Sequence, residues 1–113
     1  MQKQDANSQF SRFIERNYQE WLKPGYTEAP VMSHTLFQKK ISPMVKDGQP
    51  LFMLLIDNLR LDQWQVIRPL IRDYFRVETE DVYYSILPTA TQYARNAIFA
   101  GLMPSEIEKR FPK

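Results

Sequence analysis

The chain's 113 residues are enough for one domain and short for two, and 43% hydrophobic with 25% charged residues places it among folded proteins rather than disordered ones. The net charge of +2 is spread as seven Lys/Arg against five Asp/Glu over residues 1–50 and eight against eight over 51–113, so electrostatics alone makes no case for a nucleic-acid groove. The absence of cysteine excludes a disulfide framework and a thiolate metal site, and fits a cytoplasmic protein.

The opening "MQKQDANSQF" has no apolar h-region, so no signal peptide is expected. Residues 8–22 then place Phe10, Phe13, Ile14, Tyr18, Trp21 and Leu22 at three-and-four spacing. That pattern predicts a helix with a broad aromatic stripe, capped by Asn7 or Ser8 and stopped by "KPGY". A connector, "KPGYTEAPVMS", follows. Ser33 is the expected cap of a second helix through "HTLFQKKISPMVK", kinked or split at Pro43 and closed by Gly48 and Pro50.

The character changes at Leu51. "LFMLLI" (51–56) is apolar at every position, as in a strand of a parallel sheet covered on both faces, and is too short to cross a membrane. The spacing of Leu61, Trp64, Ile67, Leu70, Ile71, Tyr74 and Phe75 predicts a helix over 59–75, with Pro69 as a kink. A second strand is expected near 82–87, then a helix from "PTAT" to Ala100, stopped by Gly101. Strand, helix, strand, helix implies a right-handed βαβα unit of an α/β fold behind a helical lead-in. The domain division expected is 1–48 and 49–113.

In an open parallel sheet, ligands collect beyond the carboxyl ends of the strands. Asp57 follows the first strand and Thr91 begins the last helix, so this topology brings a carboxylate and a hydroxyl to one rim. A carboxylate that holds a cation beside an alcohol at a helix N-terminus is what metal-assisted phosphoryl or sulfuryl transfer needs. Both residues are also ordinary N-caps, and from spacing alone capping is the better explanation. Arg60 and Arg95 could hold phosphate or be solvated and paired with acids such as Asp62. His34, the one histidine, reads as a surface or cap residue rather than a metal ligand.

"LLIDNLRLDQW" followed by "YYSILPTATQYARNAIFAGLMP" resembles the opening of a PglZ domain, a branch of the alkaline phosphatase superfamily, with its nearest likeness in PorX-type response regulators. "FIERNYQEWL" and "HTLFQKKISPMV" resemble the helical stretch that leads into that domain. The resemblance implies an alkaline-phosphatase-like parallel sheet, Asp57 as a zinc ligand, and Thr91 as both ligand and nucleophile, with Thr89 as the fallback. It makes Arg95 and Asn96 the candidate substrate-binding residues. It further implies phosphodiesterase-like chemistry on phosphate esters or oligonucleotides, and a signalling output linked to type IX secretion with a sigma factor or sensor as partner.

Two of these donors cannot satisfy a zinc ion that wants four. The superfamily's remaining Asp and His ligands come from later in the domain, and no receiver segment is present. The expectation is therefore a fragment, linker plus first βαβα, that does not hydrolyse anything alone. An apolar strand with an uncovered edge leads us to expect self-association or a swapped dimer involving the 8–22 helix. Two further readings compete: a non-catalytic module for dimerisation and partner docking, and a small stand-alone α/β binding protein.

Overall fold

A computed structural model of the chain describes residues 2–112, which divide into two units that meet between Val31 and Met32 in the sequence. In the first unit, helix α1 spans Gln2–Trp21 and begins well before the expected cap at Asn7 or Ser8. The extra turn is made of good helix formers (Gln, Lys, Ala), and Asp5 sits where a negative charge complements the helix N-terminus. Two turns apart on the aromatic stripe, Phe13 and Trp21 meet with ring centroids 5.6 Å apart at a 59° tilt. The Asn17 side-chain amide donates to the Phe13 carbonyl at 2.7 Å. No residue of α1 is buried.

The second unit is organised by a small clasp. Met32 and Tyr84 form an isolated parallel bridge. The Ser33 N–H donates to the Tyr84 carbonyl at 3.1 Å, and the Ser33 hydroxyl accepts from the Ile86 N–H at 3.1 Å. Met32, Ser33 and Ile86 are fully buried there, with Ala97 and Ile98 beside them. Helix α2 (Ser33–Leu36) leaves the clasp directly and packs on α4 (Thr91–Ala100). Its start is held by Thr35, whose hydroxyl accepts the Met32 N–H at 3.0 Å. Ser33 is thus the first helical residue and not the cap, because its hydroxyl is committed to a partner far away in sequence.

Beyond α2 the winding loosens into a π turn (Phe37–Ile41) and then tightens into a 3₁₀ turn (Ser42–Met44) around Pro43, so the expected helix is split rather than kinked. Helix α3 spans Leu61–Ile71, shorter than the apolar spacing suggests. Pro69 removes a helical hydrogen bond, and the chain leaves the helix two residues later. Gly101 stops α4 with φ 65°, a left-handed conformation that suits glycine. A final helix, α5 (Pro104–Arg110), was not foreseen. Its signal is "MPSE": Pro104 takes the first helical position, and the Glu106 carboxylate reaches back to the Met103 N–H at 3.0 Å.

The structure corrects the fold class. Among the described residues 54% are helical and there is no strand or sheet, so neither the α/β fold nor the parallel βαβα unit forms. Residues 51–56 lie in no regular element, with Phe52 85% and Leu54 87% exposed. The 82–87 stretch does pair in parallel, but only through Tyr84, and its partner is Met32 from the connector rather than the 51–56 run. A parallel strand is stable only with hydrogen-bonding neighbours and cover on its faces, and the apolar run meets neither condition here.

Ser33→Ala should destabilise the second unit by about 1–3 kcal/mol, because the Ile86 N–H would be left buried without an acceptor. Urea unfolding followed by Trp64 fluorescence, in a Trp21→Phe background, measures this. A change within ~0.5 kcal/mol, typical of neutral surface sites, would mean the clasp does not hold the unit.

Candidate functional site

Thr91 is the first residue of α4, and Ala90 is its N-cap with extended backbone. The Ala90 carbonyl accepts from the N–H groups of Tyr93 at 2.9 Å and Ala94 at 3.0 Å. No side chain caps this helix, so the capping role considered for Thr91 is not the one it plays. Thr89 and Thr91 are both exposed, ahead of a first turn whose leading amides have no helical acceptor. Arg95 is one turn further on, on the same side as Thr91, while Asn96 is turned away from it; both are exposed. Ala97 and Ile98 are the residues of α4 that reach the core.

Asp57 sits in a turn with Asn58, whose φ of 62° is left-handed. The Asp57 carboxylate accepts the Asn58 N–H at 2.9 Å, a local contact that steadies the turn. It does not cap α3. That position belongs to Arg60, whose N–H is accepted by the Gln63 side chain at 3.0 Å. The Arg60 guanidinium grips Asp62 with both arms, at 2.9 and 2.6 Å. This hydrogen bonding raises the pKa of Arg60 and lowers that of Asp62. Asp57 and Thr91 lie on no common sheet, so the strand edge expected to bring them together is not what relates them.

Among the described residues no group of three or more His, Cys, Asp or Glu is placed to hold a metal ion. Asp57 already serves its own turn, and Thr91 offers a single hydroxyl. These residues do not fit the four-ligand demand of zinc, and no chemical step is derived through it.

Two features escaped the sequence reading. His34 is half-buried, and its Nδ1 is fully enclosed without a hydrogen-bond partner. Burial pulls its pKa below the usual histidine range; Glu106 opposes that shift and Lys39 adds to it. Second, the Glu80 carboxylate accepts the Trp64 indole N–H at 2.9 Å and pairs with Arg68 at 3.3 Å. Lys40 pairs with Asp81, whose pKa is lowered by that bond first and by the Val82 N–H second. No helix among the described residues is long and apolar enough to cross a membrane.

Comparison with protein families gives two matches. Residues 36–113 match the BREX system PglZ alkaline phosphatase-like domain, and residues 1–22 match the PorX response regulator linker domain. No curated protein matches the chain.

Two outcomes follow from this geometry. Thr91→Val should change stability by no more than ~0.5 kcal/mol in thermal or urea unfolding, since no cap is lost. Acidification should act through His34. Above the usual histidine pKa of about 6.5 both folded and unfolded states hold it neutral. Below that value the unfolded state takes up the proton first, so stability falls with pH until the lowered folded pKa is passed. Urea unfolding at pH 7.5, 6.5 and 5.5 should show the loss, and His34→Gln should flatten it; an unchanged slope would contradict the buried imidazole.

Proposed function

The chain belongs to the family of the BREX system PglZ alkaline phosphatase-like domain, and from that premise we propose that it is part of a PorX-like response regulator. One observation carries the reading: a PorX linker stretch and a PglZ stretch follow each other in a single chain. The aromatic helix α1 is the linker element, and the second unit contributes the start of the output domain. The regulator's output is phosphodiester chemistry in a signalling role linked to type IX secretion. Thr91 is the alcohol that attacks phosphorus, with Thr89 as the alternative, and Arg95, one turn on along the same side of α4, steadies the phosphate, a role for which Asn96 faces the wrong way. Thr91 is exposed at a helix start, where outward backbone amides favour an anionic oxygen, and this supports the assignment. Zinc would supply Lewis acidity and a more acidic alcohol, but the donors among the described residues do not fit it, so any zinc would need ligands other than these.

A second reading is favoured by a different observation. The apolar run 51–56 is largely exposed, which suits a module whose business is dimerisation and docking of a partner such as a sigma factor or sensor. The full-length gene product separates the two. Its hydrolysis of an activated phosphodiester should fall by at least about a thousandfold in Thr91→Val, as when a nucleophile is removed. Undiminished hydrolysis would refute the nucleophile assignment, whereas a full-length product with no hydrolysis that still forms its signalling complex would favour docking. The 113 residues alone should hydrolyse nothing, with or without added zinc.

A further inference from the structure

Arg68, Arg72 and Arg76 recur every four residues across the end of α3 and line one cleft of about 270 Å³ together with Phe75 and Val77. The outer two arginines are accounted for. Arg68 is held by Glu80, itself steadied by the Trp64 indole, and Arg76 pairs with Glu78 at 2.8 Å. Arg72 lies between them, and its guanidinium has no ion pair among the described residues. Three guanidiniums line the cleft, and Arg72 is the one of them that no carboxylate pairs with. Phe75, at its rim, is 67% exposed.

We propose that this cleft binds the phosphate chain of a small nucleotide, with Arg72 as its principal ligand and the Phe75 ring as a surface on which the base stacks. A guanidinium fork matches phosphate oxygens two at a time, and an exposed aromatic face is a general platform for a base. The flanking carboxylates hold Arg68 and Arg76, so Arg72 is the arginine of the cleft with no carboxylate to release before it takes a phosphate. They also set an electrostatic limit, because each repels the incoming anion. A nucleic-acid strand is the poorer occupant: the cleft is lined by five residues within one ten-residue stretch, and charge elsewhere in the chain forms no stripe to guide a polyanion. The site does not involve Thr91.

Calorimetric titration of ADP into the purified 113-residue chain at low salt tests this. Arg72→Gln should weaken binding about tenfold, the loss expected for a charge-assisted hydrogen-bonding pair, with helicity by circular dichroism unchanged. Arg72→Lys should give a smaller loss, since charge remains but the fork is gone. Glu78→Gln should tighten binding by removing a repelling carboxylate, a gain that no merely structural arginine would show. Thr91→Val should leave binding unaffected, which separates this site from the hydrolytic reading. Absence of heat at millimolar ADP, insensitivity to Arg72→Gln, or tighter Arg72-dependent binding of a single-stranded oligonucleotide than of ADP would each overturn the proposal.

Discussion

The second unit depends on how one serine is used. Ser33 donates its backbone N–H to Tyr84 and accepts the Ile86 N–H on its hydroxyl, so one residue anchors a stretch more than fifty positions away. Both bonds are shielded, and a shielded bond is costly to lose because no water replaces the missing partner. Ile86 is thereby fixed in the core, and the chain beyond it turns through the cis Leu87–Pro88 peptide into α4, which returns to pack on α2. The position of Thr91 is therefore a downstream consequence of a contact made at Ser33. Little else in this unit is closed, since among the described residues the buried set consists of Met32, Ser33, Ile86, Ala97 and Ile98.

That small core explains why the helices were legible and the sheet was not. Helix signals are local. The apolar spacing at 10–22 and 61–71, the stop at Gly101 and the break near Pro43 all act within a turn or two of themselves, and each is visible in the structure. A strand has no such independence: its hydrogen bonds belong to another segment, and β-propensity expresses the company a residue keeps. "LFMLLI" has the composition of a buried strand and lies exposed, while Tyr84 finds its parallel partner in a connector that carried no strand signal. Helix α5 was missed for a simpler reason, since its start signal, Pro104 followed by Glu106, is carried by a short segment with little apolar periodicity.

The candidate site shows the same division. Thr91 at a helix start and Asp57 at a turn are local placements, and both occur. Their convergence is a non-local claim that rested on a crossover between paired strands, and without the sheet that argument for it is gone. The family likeness survives because it rests on the order of residue types, which does not depend on strand pairing. Neither capping explanation survives: Ala90 and Arg60 occupy the cap positions, leaving both Asp57 and Thr91 without that structural duty.

Charge was the least legible property, because totals conceal placement. Eight cations against eight anions over 51–113 reads as neutral, yet three of those cations are arginines four residues apart that line one cleft at the end of α3. Two of the matching carboxylates, Glu78 and Glu80, come from the extended stretch that follows, and they reach only the first and last arginines. A balanced sequence can therefore present an unbalanced surface when its acids return along a different path from its bases. What sets the local field is which side chains the turn after α3 brings within hydrogen-bond reach, a turn closed by the N–H groups of Tyr74 and Phe75 on the Ile71 carbonyl.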